Sequence, residues 1–263
     1  MKESPLQSRR ILVTRAKDQA KSFTEKIESN GGTAIEVPLI TFQKPVKQEE
    51  IEQALSSLHT YDWLIFTSIN GVHFFFDFLE EFNVAFEYLN DIKIAVVGTK
   101  TKEALAQYGV FPSLIPDEFV AESLSEELVK TLQAGEKVLF PKGNLARDLI
   151  PRKLSKMDLE LTELVIYENV IETRSKEKLQ ELLMNKDVDI ITFTSSSTVK
   201  NFVMLLRDES WENYINQLTF ACIGPIAAKT AEQYGLTPHI VASTYTIDGL
   251  IQAIIDYLEE EEQ

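Results

Sequence analysis

Short runs of aliphatic and β-branched residues alternate along this chain with longer stretches that have apolar positions at helical spacing. Leu64-Ile65-Phe66 and the segment from Val188 to Phe193 are nearly continuous apolar runs, which is typical of strands covered by helices on both faces. The pattern therefore predicts an α/β fold with parallel sheets. The predicted strands are 10–14, 33–37, 62–67, 92–97 and 113–115, followed by 137–140, 159–163, 188–193, 218–223 and 239–241.

The second half of this pattern repeats the first. The segment from Asp62 to Val72 returns as Asp189 to Val199, and elements of the segment from Ile94 to Pro112 return between Phe220 and Pro238, about 127 positions later. A repeat of this length indicates duplication of a whole domain rather than a solenoid. Because each copy has five predicted strands, the sequence predicts two flavodoxin-like domains with a cleft between them.

Composition restricts the classes of function. A chain of 263 residues with 44% hydrophobic and 25% charged residues suits two globular domains. With 41 acidic against 26 basic residues and a net charge of -15, a nucleic-acid partner is disfavoured. No apolar run is long enough to span a membrane, and residues 1–10 lack the apolar core of a signal peptide. We therefore expect a cytoplasmic protein.

Several common chemistries lack their motifs. Cys222 is the only cysteine, and His59, His73 and His239 are not spaced as metal ligands. The chain has neither a GxGxxG motif after the first strand nor a GxxxxGK[ST] motif, and the serines from Ser195 to Ser197 do not form a G-x-S-x-G elbow. We expect no cofactor and no metal.

Glycine and hydroxyl residues mark predicted helix ends. Ser123 and Glu126 fit a capping box, and Gly109 and Gly235 fit left-handed C-terminal caps. The phenylalanines between Phe74 and Phe82 lie at helical spacing, which favours core packing over a ligand platform.

Hydroxyl and glycine residues follow the central strands of both copies. Thr67-Ser68 and Ser195-Ser196 follow the third strand of each copy, and Gly98 and Gly224 follow the fourth. In parallel α/β sheets, ligands bind beyond the carboxyl ends of the strands, where helix N-termini expose N–H groups. Helix capping explains part of this pattern. Its recurrence in both copies indicates a cleft that binds a small polyanion.

Seven short motifs occur in the order and spacing of a known family. They are Leu12-Val13-Thr14-Arg15; Ile65-Phe66-Thr67-Ser68 with Asn70-Gly71-Val72; Val96-Val97-Gly98 with Thr101; Gly143-Asn144 with Arg147; Val165 with Tyr167; Phe193-Thr194-Ser195-Ser196; and Ala221 with Ile223-Gly224-Pro225. Over nearly its whole length the chain resembles uroporphyrinogen-III synthase. It departs from that family at Ile226-Ala227, where a threonine commonly follows the Gly-Pro pair.

The resemblance implies a cofactor-free, cyclising hydro-lyase of tetrapyrrole, porphyrin and heme biosynthesis. Its substrate would be hydroxymethylbilane, a linear tetrapyrrole with eight carboxylates. Its product would be uroporphyrinogen III, formed with loss of water and inversion of ring D through an azafulvene and a spiro intermediate. The resemblance also implies a monomer without a nucleic-acid or membrane partner. Transient contact with hydroxymethylbilane synthase is a further expectation.

The resemblance also implies the site residues. The expected substrate ligands share positions at strand ends and helix starts: Arg15, Thr67, Ser68, Gly98, Lys100, Thr101, Gly143, Asn144, Arg147, Ser195, Ser196, Gly224, Pro225, Ile226 and Ala227. Tyr167 is the expected catalytic acid. It occupies the matching family position, its counterpart in the first copy is Ile40, and a phenol stays protonated at neutral pH.

By the same resemblance, the two sequence copies are not the two spatial domains. One domain would combine residues 1–37 with 171–263, and the other would span 43–164. The segments 38–42 and 165–170 would cross between them and pair as a two-strand β-ladder hinge.

The alternative function belongs to another class. A two-domain protein that binds or senses a small anion could use the same cleft without turnover. Incubation with freshly generated hydroxymethylbilane, followed by separation of isomers I and III, distinguishes the two functions.

Overall fold

The computed structural model describes residues 4–207, 215 and 217–261 of the chain. Strands and helices alternate through this part. The strands are β1 (Arg10–Val13), β2 (Thr33–Glu36), β3 (Ile40–Gln43), β4 (Trp63–Phe66), β5 (Lys93–Val96), β6 (Lys137–Gly143), β7 (Glu160–Ile171), β8 (Ile190–Phe193), β9 (Thr219–Cys222) and β10 (Ile240–Val241).

The α-helices lie between these strands and at the end of the described chain. They are α1 (Lys17–Ser29), α2 (Glu49–Ser56), α3 (Ile69–Glu81), α4 (Thr99–Ala106), α5 (Ala121–Thr131), α6 (Leu149–Leu154), α7 (Lys176–Met184), α8 (Ser196–Leu206), α9 (Pro225–Gln233) and α10 (Ile247–Glu261). None of the helices among the described residues is long and apolar enough to cross a membrane.

One sheet is built from both ends of the chain. Its strand order is β10-β9-β8-β1-β2, and each neighbouring pair is parallel. When these five strands are numbered by their order along the chain and read from β2 to β10, they follow the flavodoxin-like order 2-1-3-4-5. The N-terminal β1-α1-β2 unit therefore completes a sheet whose other strands come from the second sequence copy.

The other sheet comes from the middle of the chain. Its order is β3-β7-β6-β4-β5, with parallel pairing across β7, β6, β4 and β5. The predicted strand at 113–115 is reduced to one parallel bridge, between Ala95 and Leu114. In contrast, β7 is one strand from Glu160 to Ile171, which covers both the predicted strand 159–163 and the predicted crossing segment 165–170. The predicted α/β class with parallel sheets is confirmed.

The chain divides into two compact units. Unit 1 comprises the chain up to Thr41 together with the chain from Val170 onward, and unit 2 is Phe42–Asn169. Both divisions fall within strands, at β3 and at the end of β7.

Apolar side chains cover both faces of each sheet. In β1 of unit 1, Leu12 belongs to one buried cluster and the adjacent Val13 belongs to another. In β8, Phe193 belongs to the first of these clusters and Ile190 to the second. In unit 2, the adjacent residues Leu139 and Val138 of β6 likewise belong to two different buried clusters. Successive strand side chains point to opposite faces, so the continuous apolar runs in the sequence reflect helices on both sides of each sheet.

Helix ends follow the sequence signals in part. Gly109 and Gly235 adopt positive φ angles of 73° and 77° after α4 and α9, so the predicted left-handed caps are confirmed. The predicted capping box at Ser123 is wrong, because α5 already begins at Ala121 and Ser123 lies within its first turn. A capping box occurs instead at the start of α8, between Ser195 and Thr198.

Candidate active site

The candidate site in unit 2 lies at the carboxyl edge of its sheet. β4 ends at Phe66, and the half-buried Thr67 and Ser68 lead directly into α3. The side chain of Ser68 caps this helix, since Gly71 N–H donates to Ser68 Oγ over 2.9 Å. The sequence thus places a hydroxyl at the positive end of a helix dipole, as expected for a serine in the N-cap position.

Tyr167 reaches the same edge because β7 is irregular there. In the parallel pairing of β6 with β7, Lys142 is opposite Val165 but Gly143 is opposite Tyr167, so one residue of β7 is skipped. Both Ile166 and Tyr167 consequently pack against the same buried cluster, although adjacent strand residues normally face opposite sides. A bulge of this kind redirects a side chain, and here it turns Tyr167 toward β6.

The Tyr167 ring is held by aromatic neighbours and its hydroxyl by Ser68. The ring stacks on Phe74 with centroids 5.4 Å apart and meets Phe42 edge-on at 5.8 Å. Tyr167 Oη lies 3.1 Å from Ser68 Oγ. Burial raises the pKa of Tyr167 above its ordinary value, and the hydrogen bond with Ser68 offsets part of this rise. The phenol is therefore protonated at neutral pH.

Gly143, the last residue of β6, and Asn144, which follows it, contact Tyr167. A Cβ atom on Gly143 would lie 2.5 Å from Tyr167 Cζ and 2.7 Å from its hydroxyl oxygen, so only glycine leaves space for the ring. Asn144 N–H donates to the Tyr167 carbonyl over 3.1 Å. Asn144 Oδ1 accepts from Asn169 N–H over 2.9 Å. Both residues were predicted as substrate ligands, yet these contacts serve Tyr167 and its strand.

The other predicted ligands of unit 2 differ in exposure. Gly98 is buried at the start of α4, where a Cβ atom would lie 2.8 Å from Phe119 Cβ. Lys100 is exposed on the first turn, but Thr101 is only 3% exposed. Thr101 therefore has almost no contact with solvent in this structure, and its predicted role as a ligand stays a prediction.

Arg147 lies in the exposed segment between β6 and α6. Its guanidinium forms a two-point ion pair with Glu122, at 2.8 Å and 3.3 Å. The hydrogen bond to Arg147 lowers the pKa of Glu122. Because exposed ion pairs are weak, this pair leaves Arg147 able to exchange its carboxylate partner.

In unit 1, hydroxyls again follow the central strand. Ser195 caps α8 by accepting from Thr198 N–H over 3.2 Å, while Ser195 N–H donates to Thr198 Oγ1 over 3.3 Å. Ser196 Oγ is the next hydroxyl, 2.9 Å from Thr230 Oγ1. Ser195, which is the equivalent of Ser68 in the repeat, therefore contacts Thr198 of its own helix and not a tyrosine.

The glycine loop of unit 1 is fixed through Thr230. Thr230 Oγ1 also lies 2.9 Å from the Ile226 carbonyl, which ties α9 to the serines of α8. Pro225 and Ile226 are exposed, with Ile226 at 78%, whereas Ala227 is buried. Gly224 is buried beneath Tyr245, whose Cδ1 would lie 2.8 Å from an added Cβ atom. The backbone N–H groups of this loop and the hydroxyl of Ser196 at the start of α8 are thus the polar groups at this edge.

Arg15 follows β1 at the carboxyl edge of the unit 1 sheet. Its terminal Nη2 donates to Gln19 Oε1 over 3.2 Å. Its Nε is buried and has no hydrogen-bond partner in the described part of the chain. Burial lowers the pKa of Arg15, and nearby Asp18 opposes this effect.

Sequence reasoning missed three contributors to these edges. Phe74 packs against the buried cluster of unit 2, as predicted, but its stacking on Tyr167 was not predicted. Thr230, one helical turn after Ile226, was also missed. Phe119 covers Gly98 in unit 2. An available signal was the recurrence of an aromatic residue at Phe119 and Tyr245, which are separated by nearly the repeat length. The stacking of Phe74 depends on the β7 bulge and has no comparable signal.

Together, these features define an α/β protein whose sheet edges present hydroxyls, helix N-termini and arginines suited to anions, with one protonated phenol held in a fixed position. The family model for uroporphyrinogen-III synthase HemD matches residues 21–252. The chain belongs to the uroporphyrinogen-III synthase HemD family, as its motifs indicated.

Individual relatives agree with this assignment. The chain is 31% identical over 260 residues to the uroporphyrinogen-III synthase of Synechococcus elongatus, with 97% of each chain covered. It is 34% identical over 252 residues to a putative uroporphyrinogen-III synthase of Methanocaldococcus jannaschii, with 93% of this chain and 97% of the relative covered. It is 29% identical to the porphyrin biosynthesis protein HemD of Ruminiclostridium josui, but spans only 49% of that protein.

Solved structures show the same fold at lower identity. A mutant uroporphyrinogen III synthase from the extremely thermophilic bacterium Thermus thermophilus superposes with a TM-score of 0.63 at 17% identity, covering 96% of this chain and 100% of that one. Uroporphyrinogen-III synthetase from Helicobacter pylori 26695 gives a TM-score of 0.60 at 16% identity, covering 94% and 98%.

Proposed function

We propose that this protein catalyses the uroporphyrinogen-III synthase reaction, in which hydroxymethylbilane loses water and closes to uroporphyrinogen III with ring D inverted. In this role it is a cyclising hydro-lyase of tetrapyrrole biosynthesis that acts as a cytoplasmic monomer and receives its substrate through transient contact with hydroxymethylbilane synthase. The family match supports the reaction. The hydrogen-bonded phenol of Tyr167 is the observation that carries the catalytic assignment.

The substrate carboxylates are suited to the polar groups at the carboxyl edges of the two sheets. In unit 1 these are Arg15, Ser196 and the N–H groups that follow Gly224. In unit 2 they are Thr67, Lys100 and Arg147. A helix N-terminus favours an anion by about 0.3 to 1 kcal/mol. Several such donors therefore bind a substrate with eight carboxylates despite the acidic net charge of the protein.

Tyr167 supplies the proton for the departure of water. As the carbon–oxygen bond of the hydroxymethyl group breaks, the pyrrole nitrogen donates its electron pair and the phenol protonates the leaving oxygen. The resulting azafulvenium carbon is attacked by the substituted carbon of ring D to give the spiro intermediate. This intermediate fragments and closes again at the free carbon of ring D, whose released proton restores the phenol. One water is lost, and no oxidant or reductant is consumed.

The protein must favour this route over direct closure to isomer I. Hydroxymethylbilane can ionise unaided, so the contribution of the enzyme is to assist water loss and to hold the two ends of the substrate in place. The raised pKa keeps the phenol fully protonated at neutral pH, so its proton is available when the leaving oxygen develops charge.

Tyr167→Phe tests the assignment because it keeps the stacked ring and removes only the hydroxyl. We expect turnover to fall at least about tenfold, since general acid catalysis contributes about 10² to 10⁴-fold. The residual product should still be mostly isomer III, because substrate positioning survives. The measurement is incubation with freshly generated hydroxymethylbilane and chromatographic separation of the isomers.

Tyr61→Phe is the matched control. It removes another phenol of unit 2, whose hydroxyl donates to Thr162 Oγ1 over 3.2 Å, and it should leave turnover unchanged. Wild-type turnover in Tyr167→Phe would refute the role of the phenol. Binding of hydroxymethylbilane without any conversion by the unmodified protein would instead indicate an anion-binding protein without turnover.

A further inference from the structure

Four residues near the start of α3 and the end of β6 surround the side chain and backbone of Tyr167 in unit 2. Ser68 contacts its hydroxyl, Phe74 stacks on its ring, Gly143 leaves space for the ring, and Asn144 binds its carbonyl. We call these residues the Tyr167 cluster. We propose that Ser68, Gly143 and Asn144 are positioning residues for the Tyr167 phenol and do not bind the substrate. The proposal rests on the proposed function of Tyr167 as the acid.

One hydrogen bond of Ser68 has a fixed direction, whereas in its contact with Tyr167 either hydroxyl can be the donor. Ser68 Oγ already accepts the N–H of Gly71 over 2.9 Å. A serine hydroxyl has one hydrogen to donate, and the Tyr167 oxygen lies 3.1 Å away. We infer that Ser68 donates to this oxygen, which leaves the phenol hydrogen for an acceptor on the substrate. The resulting chain runs from Gly71 N–H through Ser68 and Tyr167 to the leaving oxygen.

This chain strengthens the acid at the moment of transfer. Hydrogen bonds in series polarise one another, and the chain begins at the positive end of α3, which stabilises a nearby negative charge. As the phenol gives up its proton, its oxygen gains charge and the bond from Ser68 becomes stronger. Burial raises the pKa of Tyr167, and the hydrogen bond with Ser68 lowers it.

Gly143 and Asn144 fix where the phenol lies. An added Cβ atom on Gly143 would approach the far end of the tyrosine ring to 2.5 Å, so the ring would have to move. The stacked Phe74 and the edge-on Phe42 restrict that movement. Asn144 forms two hydrogen bonds with the bulged strand, one on each side of Glu168. Its N–H donates to the Tyr167 carbonyl, and its Oδ1 accepts from the Asn169 N–H. Any displacement of the ring therefore separates its hydroxyl from Ser68.

The first test compares Ser68→Ala with Ser68→Thr by NMR of protein labelled with ¹³C at the tyrosine Cζ atoms. The signal lost in Tyr167→Phe identifies Tyr167. In Ser68→Ala we expect this signal to shift and its titration midpoint to move to higher pH, because a donor to the phenolate has been removed. Ser68→Thr retains the hydroxyl and should restore both readouts.

Thr246→Ala is the control for the lost helix cap. Thr246 Oγ1 accepts from Gly249 N–H over 3.0 Å at the start of α10 in unit 1, the same type of bond that Ser68 makes in unit 2. Thr246→Ala should lower the urea unfolding midpoint about as much as Ser68→Ala does, but should leave the Tyr167 signal in place. An unshifted Tyr167 signal in Ser68→Ala would overturn the proposal.

Kinetics separate positioning from substrate binding. Ser68→Ala should lower kcat at least about fivefold and leave KM within about twofold, because a positioning residue acts on the transition state through Tyr167. In the Tyr167→Phe background the same substitution should have almost no further effect on kcat, since the group it orients is absent. A severalfold rise in KM with unchanged kcat would make Ser68 a substrate ligand and contradict the proposal.

Gly143→Ala provides an independent test if Ser68→Ala folds poorly. We expect the Tyr167 signal to move and kcat to approach that of Tyr167→Phe. An unmoved signal with wild-type kcat would contradict the role of Gly143. Failure of the acid assignment is distinguishable, because it would appear as wild-type turnover in Tyr167→Phe while the NMR shifts still report the contacts of the cluster.

Discussion

The Nε–H group of Arg15 is buried and donates no hydrogen bond within the described part of the chain. A buried donor without an acceptor costs about 1 to 3 kcal/mol, so this position is destabilised unless an acceptor arrives. Gln19 binds only one end of the guanidinium, through Nη2. A carboxylate can accept two parallel hydrogen bonds from the guanidinium fork, which a lysine cannot offer.

Substitution of Arg15 tests this interpretation. Arg15→Lys keeps the charge but loses the fork, and we expect KM for hydroxymethylbilane to rise about tenfold, which corresponds to about 1.4 kcal/mol. Arg15→Met should also raise KM, while its free energy of unfolding stays equal or increases because the unpaired donor is gone. Urea unfolding and steady-state kinetics provide the two measurements.

Lys17→Met is the control for the loss of one positive charge, since Lys17 is exposed on the first turn of α1. Lys17→Met should change neither KM nor the free energy of unfolding appreciably. A large decrease in stability of Arg15→Met with an unaltered KM would show that Arg15 supports the fold and does not bind substrate.

At the scale of single residues, the order of the motifs pointed to Tyr167 and the strand-end hydroxyls, but it could not determine which partner each hydroxyl binds. Ser68 and Thr67 are adjacent in sequence, yet Ser68 is engaged by Gly71 and Tyr167. Thr101 was predicted as a ligand and is buried. Which side of a helix turns inward depends on tertiary packing, and a short motif does not encode that packing.

At the scale of elements, α4 and α9 both begin after a buried glycine covered by an aromatic ring. Phe119 covers Gly98 and Tyr245 covers Gly224. The backbone at both glycines is fully extended, so no strained conformation requires glycine there. Glycine is required at both positions because the covering aromatic residue approaches the backbone closely. This approach differs between the two helices, because Gly98 faces the Cβ atom of Phe119 whereas Gly224 faces the ring edge of Tyr245.

We expect Gly98→Ala to be more destabilising than Gly224→Ala. The Cβ atom of Phe119 is tied to its backbone and cannot move without it, so overpacking there should cost about 1 to 3 kcal/mol. Tyr245 is 64% exposed, and its ring can rotate toward solvent. Gly224→Ala should therefore cost less than about 1 kcal/mol in the same urea experiment. Equal losses, or the reverse order, would contradict this account of the two contacts.

Element prediction succeeded where one periodicity dominated. The continuous apolar runs gave the buried strands β4 and β8 to within two residues at each end. β7 was predicted as two separate segments, 159–163 and 165–170, but it is one continuous strand, because backbone pairing continues through its polar residues Glu163, Glu168 and Asn169. The β7 bulge that places Tyr167 opposite Gly143 leaves no signature in composition or spacing.

At the scale of the whole molecule, each sheet combines strands from both sequence copies. In unit 1, β1 pairs with β8 although these strands are far apart in sequence. Arg10 and Asp189 join their starting ends, with the guanidinium 2.8 Å from the carboxylate and Arg10 N–H 2.7 Å from it. The repeat indicated duplication, but repetition alone cannot specify which copy pairs with which. That part of the prediction came from resemblance to the family.

Hydrogen exchange can test whether the two units unfold as separate domains. Leu12 in β1 and Leu139 in β6 are both 0% exposed, one in each unit, so they are matched sites for truncation. Leu12→Ala and Leu139→Ala should each cost about 2 to 5 kcal/mol. In Leu12→Ala we expect peptides from β1, β2, β8 and β9 to lose protection together, because these strands share a sheet. Peptides from β4 and β6 should keep their protection, and Leu139→Ala should give the reverse pattern. Loss confined to one sequence copy, from β1 through β5, would show that the copies are the folding units, and uniform loss across the chain would show a single cooperative domain.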